Sequence, residues 1–116
     1  MMIDTKIGVP IEKEVLCCYF KRLVNLFFKI LPLRENNEES LVVYMKSLQL
    51  ELLGCQCFVS MVRNKSDYDA DYLTILSILQ YLIDNPECKL SEVKREVFRA
   101  ISVCNRLHAR LSSEGA

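Results

Sequence analysis

Six cysteines, a single histidine and a set of arginines near the C-terminus are the residues of this chain whose types and spacing could amount to chemistry. Cys55-Gln56-Cys57 and the adjacent Cys17-Cys18 nominally offer four thiolates. Structural zinc sites draw their thiolates from pairs separated by two to four residues on a turn. On a helix, positions two apart point about 200° away from each other and neighbours about 100°. One thiol of each pair therefore turns inward as a small apolar side chain, and neither a metal nor any other cofactor is expected. His108 is the one imidazole. A helical nuclease site would pair it with an arginine about one turn away, but Arg106 is too close and Arg99 too far along the helix. No catalytic residue follows from these positions, and a non-enzymatic role is expected.

The arginines make a better pattern. Lys89 to Leu111 holds six basic residues against Glu92 and Glu96, and Arg95, Arg99, Arg106 and Arg110 fall along one outward arc of a helix. Guanidinium groups bind phosphate and carboxylate in bidentate fashion, so this arc is the candidate surface for nucleic acid or an acidic protein. No aromatic side chains interleave with it as they do in single-strand binders. Residues 67 to 87 are the converse, with Asp67, Asp69, Asp71, Asp84 and Glu87 and no lysine or arginine. The alternating aspartates lack the glycine and distal glutamate of a calcium loop. They are read as favouring the positive end of a helix dipole. Over the whole chain 15 basic and 15 acidic residues cancel, so no net field draws it to nucleic acid or an anionic membrane.

These residues must be carried by helices. At 116 residues, with 51% hydrophobic content and only three glycines and three prolines, the chain fits one all-α domain. Leu41, Met45, Leu48, Leu52, Cys55, Val59 and Val62 recur at alternating spacings of four and three, an apolar seam of about six turns. Similar patterns predict helices over residues 11–31, 38–63, 68–84 and 92–111, with a disordered tail at 112–116. The expected architecture is a four-helix bundle with short connections, mostly between antiparallel neighbours. Pro10 opens the first helix and Pro32 closes it, Asn37 or a neighbour caps the second, and Ser91 caps the fourth. Ser66 and Asp69 have the spacing of a capping box before the third helix. Gly54 is read as lying within a continuous second helix, where a small residue permits close backbone approach; the alternative is a C-terminal cap followed by a shorter helix.

The first helix is apolar over more than one face. Val15, Leu16, Tyr19, Leu23, Leu26, Phe27 and Ile30 fill one arc, and Phe20, Val24, Phe28 and Leu31 extend it further round. Such a helix either sits at the bundle centre or buries the second arc against a second copy or another protein. Phe20, Val24, Phe28 and Leu31 are therefore the candidate partner or dimer surface. No small-molecule substrate site is evident.

No stretch has the 18 or more uninterrupted apolar residues of a membrane span, and no export segment opens the chain. Free thiols and a cytoplasmic location follow from that reading. Phe28-Lys29-Ile30-Leu31-Pro32-Leu33-Arg34-Glu35, then Leu48 to Gly54 and Val93 to Ile101, resemble a group of small helical proteins from phages and mobile elements of Gram-positive bacteria. The resemblance spans about residues 24 to 108. It implies a small cytoplasmic accessory protein and supplies no catalytic residues. The expected role is a helical interaction protein that regulates or inhibits a protein partner, with nucleic-acid binding through the arginine arc as the alternative.

Overall fold

The computed structural model describes residues 2–3, 11–60 and 66–113. Its helices are α1 (Lys13–Phe28), α2 (Ile30–Glu35), α3 (Leu41–Ser60), α4 (Ser66–Asp84) and α5 (Leu90–Ser113). Two extended residues on each side, β1 (Met2–Ile3) and β2 (Ile11–Glu12), pair antiparallel with Met2 opposite Glu12 and Ile3 opposite Ile11. The helix expected from residue 11 thus begins at Lys13, and Ile11 and Glu12 are extended.

Pro32 kinks the first helical segment instead of ending it. A proline cannot donate to the carbonyl four residues back and its ring crowds that carbonyl. For Pro32 that residue is Phe28, where α1 stops, and after Lys29 the chain resumes as α2 through Glu35. Tyr44 of α3 donates its hydroxyl to the carbonyl of Leu26, one of the last four of α1, at 2.6 Å.

Asn37 serves the end of α2, and not the start of the next helix as expected. It adopts φ 51°, the left-handed region that asparagine tolerates better than most residues. The N–H of Glu38 reaches the carbonyl of Leu33 at 2.9 Å, and that of Asn37 reaches Arg34 at 3.1 Å. These two bonds are a Schellman closure. The next helix starts at Leu41, with Tyr44 N–H donating to Ser40 at 2.8 Å. The helix α5 begins at Leu90, so Ser91 lies inside its first turn, and the carbonyl of Lys89 accepts the N–H groups of Glu92 and Val93. It also continues through Ser112 and Ser113, where a disordered tail was expected. Residues 114–116, and Val62 of the predicted seam, lie outside the described residues. So does the side chain of Ser66, expected to form the capping box.

The bundle is all-α, and its antiparallel neighbours form a ring. Along α1 and α3, Leu26 meets Tyr44 and Arg22 meets Glu51. Gln49 and Leu52 of α3 meet Gln80 and Tyr72 of α4. Asp71 and Tyr81 of α4 meet Arg106 and Glu92 of α5. Cys17 and Phe28 of α1 meet Ser112 and Phe98 of α5, closing the ring. Within it lie Leu16, Phe20, Leu23, Phe27 and Ile30 of the first segment, and Leu41, Met45, Leu48 and Leu52 of α3. Tyr68, Tyr72, Ile75, Leu79 and Leu82 of α4 face Val93, Val97, Ala100, Cys104, Leu107 and Leu111 of α5. Each set repeats at spacings of three and four, so each helix turns one stripe inward.

Candidate interaction surfaces

The arc of Phe20, Val24, Phe28 and Leu31 is divided by the fold. Phe20 is 1% exposed and belongs to the core, so it is not part of any surface of this chain. The inward stripe of α1 runs Leu16, Phe20, Leu23, Phe27, and its centre lies further round the helix than the sequence reading placed it. Val15, assigned to the inner face, is accordingly exposed. Val24 and Leu31 are half-buried, and Phe28 is 40% exposed. Phe28 meets Phe98 of α5 edge to face, with ring centroids 5.8 Å apart and planes at 78°. Phe98 is itself 48% exposed, so an aromatic pair stands open to solvent over the α1–α5 groove.

The arginine arc is also divided, and each of its four arginines is ion-paired within the chain. Arg106 makes a fork to Asp71, Nε to Oδ2 at 3.1 Å and Nη2 to Oδ1 at 2.7 Å. Arg110, one turn on, adds a contact to Asp71 Oδ2 at 3.3 Å, and its guanidinium lies 5.7 Å from the ring centre of Tyr68. The hydrogen-bonded carboxylate holds the Arg106 guanidinium above its ordinary pKa. Arg99 pairs with Glu96 at 3.0 Å, and Arg95 lies 3.6 Å from both Glu92 and Glu96. Glu96 is nearly buried beneath these two cations. The arc is therefore two ion-paired groups, one bridging α4 to α5 and one within α5.

Asp71 is the residue that sequence reasoning placed wrongly. It was grouped with Asp67 and Asp69 at the positive end of a helix dipole, yet it is buried and binds two arginines 35 and 39 positions away. Its signal was its place beside Tyr72 at the flank of the α4 stripe, opposite a pair of arginines one turn apart.

The polar groups of the interior form a relay. Tyr72 donates to the carbonyl of Leu52 at 2.7 Å, and its oxygen lies 2.8 Å from that of Tyr19. A phenol has one hydrogen. Tyr72 spends it on Leu52, so Tyr19 is the donor to Tyr72. Burial, and then the bond to Tyr72, raise the pKa of Tyr19 far above that of a free phenol; burial likewise raises that of Tyr72. At one end of the bundle, Arg34 ties the α2–α3 turn to the α4–α5 connection by donating to Asn37 Oδ1 at 3.1 Å and to the carbonyl of Cys88 at 2.9 Å. A recess of about 370 Å³ opens beside it, between Leu41, Val42 and Pro86.

The five described cysteines are free and differ in exposure. Cys17 lies 3.8 Å from the Ser112 hydroxyl, Cys18 is exposed, Cys55 and Cys88 are half-buried, and Cys104 is buried. Burial pushes the Cys104 thiol up to about 12. The side chain of Cys57 lies outside the described residues. Among the described residues no group of three or more His, Cys, Asp or Glu is placed to hold a metal ion. His108 is half-buried on α5.

Gly54 lies within an unbroken α3, but not at a close approach: a Cβ built there meets nothing within 4 Å. It faces outward with Val43, Leu50 and Leu53, which are 67%, 70% and 50% exposed. Sequence reasoning located the excess apolar surface on the first helix. The larger excess is on α3.

Together these features define an all-α four-helix bundle with uncovered apolar faces and an arginine arc that is ion-paired within the chain. Comparison with protein-family models, with curated proteins and with solved structures found no match. No described helix is long and apolar enough to cross a membrane.

Proposed function

We propose that this chain is a small non-enzymatic interaction protein that binds another protein through the α1–α5 face and so regulates or inhibits it. The observation that carries this reading is the solvent-open aromatic pair, Phe28 on Phe98, with Val24 and Leu31 half-buried beside it. Aromatic side chains, phenylalanine included, are enriched at protein interfaces, and exposed apolar patches mark such sites. Lys94 and Glu35 pair at 3.7 Å on the neighbouring turns, which supplies a polar rim to an apolar centre. A reducing, cytoplasmic setting is part of the proposal, supported by five described cysteines that are all free thiols. A small accessory protein of a phage or mobile element is the biological role this surface would suit.

The test is capture from host-cell lysate with tagged wild-type chain and with a Phe28→Glu, Phe98→Glu variant, each with and without nuclease. Stoichiometric recovery of one protein that survives nuclease and is lost with the variant supports the reading. Equal recovery by a folded variant overturns the surface assignment. Recovery that vanishes with nuclease transfers the function to Arg95 and Arg99, the arginines paired only within α5.

A further inference from the structure

The outward side of α3 carries a second seven-residue pattern that the bundle does not use. Its inner seam is Leu41, Met45, Leu48 and Leu52, all buried. Displaced by two residues, and so to the opposite side of the helix, run Val43, Ser47, Leu50 and Gly54, again at spacings of four, three and four. All four are exposed. Two large apolar residues alternate with two small ones, the arrangement that allows two helices to approach closely along a shared seam. A Cβ built at Gly54 meets no described atom within 4 Å, so that position has room for a neighbour's side chain.

We infer that α3 is the dimer helix of this protein, with a second copy of the chain packed parallel to it about a two-fold axis running along the seam. The choice of a second copy rests on charge. In a parallel pair of helices with Val43, Ser47, Leu50 and Gly54 at the centre, each flanking residue lies beside the one five positions later on the neighbour. That sets Lys46 of each copy against Glu51 of the other, twice by symmetry. Lys46 is exposed and lies on the outward arc, and Glu51 lies at its edge, where it also accepts from Arg22. A carboxylate has acceptor sites for both cations. An antiparallel pair would instead bring the Lys46 side of one helix against the Lys46 and Leu53 side of the other, leaving the charge unmatched.

The size also fits. The 20 residues of α3 extend about 30 Å, and the bundle is 22 Å across, so the face measures on the order of 600 Å² in projection. A stable dimer buries about 800 Å² of accessible surface per partner, and a ridged helical face exceeds its projection. Leu53 on the same side of α3 and Leu73 on the adjoining helix, both half-exposed or more, extend the apolar area toward α4. In the ring of helices α3 stands diagonal to α5, so this face and the Phe28–Phe98 face are separate surfaces.

Sedimentation equilibrium on the full chain decides the matter. The wild type is expected to be a dimer at micromolar concentration. Leu50→Glu and Val43→Glu variants are expected to be monomers with unchanged helical circular dichroism, since both side chains stand mostly in solvent within the chain. Lys46→Glu sets two like charges together at each flank and is expected to weaken association about tenfold. A wild type that stays monomeric to hundreds of micromolar, or a dimer unaffected by Leu50→Glu, overturns the inference. A dimer lost with Leu50→Glu but indifferent to Lys46→Glu overturns the parallel arrangement. Neither readout involves Phe28 or Phe98, so success or failure here is distinct from that of the proposed partner surface.

Discussion

Tyr72 sits in the relay from Tyr19 to the Leu52 carbonyl, where it both donates and accepts. Replacing it with Phe removes two bonds and leaves the half-buried Tyr19 hydroxyl without its acceptor, whereas Tyr19→Phe removes one and leaves Tyr72 bonded to Leu52. Tyr72→Phe is therefore expected to lower stability by about 1–3 kcal/mol and Tyr19→Phe by about 1 kcal/mol or less, in that order, by urea unfolding. The same burial makes stability sensitive to alkali. Cys104 ionises near 9 when free and near 12 in the fold, and the phenols of Tyr19 and Tyr72 are raised above their ordinary 10. Above pH 9 the unfolded chain loses protons that the folded chain keeps, so these groups stabilise the fold fully below that pH and progressively less above it. Urea midpoints are expected to be level from pH 7 to about 8.5 and to fall by pH 10. Cys104→Ala should be less stable at pH 7 but show a smaller fall between those pH values. An equal fall would show that the thiol does not contribute.

Among the elements, α3 contains the most improvable position and the α2–α3 turn the most constrained one. Gly54 is helical, exposed and open to a Cβ, so Gly54→Ala introduced into the Leu50→Glu chain, where the seam is not used, is expected to stabilise the monomer by about 1 kcal/mol, read as a raised melting temperature. Asn37 holds a left-handed backbone that closes α2. Asn37→Gly relieves the left-handed backbone but gives up the exposed bond from Arg34 to Oδ1 and should be near neutral, and Asn37→Val destabilising by about 1 kcal/mol or more; equal melting temperatures would refute the role of the turn. The helices themselves were legible because stripes such as Leu41, Met45, Leu48 and Leu52 depend only on spacing along one chain segment. The kink was not, since Pro32 within a sustained apolar pattern is compatible with either an end or a bend. Nor was the cap: Asn37 suits the start of one helix as well as the end of another, and its neighbours' hydrogen bonds decide.

On the scale of the molecule, the Asp71–Arg106–Arg110 group fastens α4 to α5. Both arginines are partly in water, so the pairing itself contributes modestly, while the carboxylate beneath them is nearly buried. Arg106→Ala is expected to destabilise by about 1 kcal/mol, with a smaller loss at 1 M salt because screening already weakens the pair. The measurement is thermal unfolding at low and high salt. A loss unchanged by salt would point to packing of the arginine stem instead. This group also bears on function, because it occupies two of the four arginines that stood out as a candidate anion surface. Charge segregation was legible in the sequence, but its internal cancellation was not, since nothing local links position 71 to positions 106 and 110.

The sequence by itself determined that this chain is helical and that one apolar stripe on each helix seeks a core. Those properties follow from residue spacing and backbone preference. That α3 runs unbroken through Gly54 was decided by the structure. Tertiary structure alone decided that Phe20 points inward while Phe28 stays open, that Asp71 belongs to α5's arginines, and that Val43 and Leu50 are left uncovered. An apolar pattern defines arcs relative to a helix's own axis, and only the placement of its neighbours settles which arc becomes interior and which remains surface.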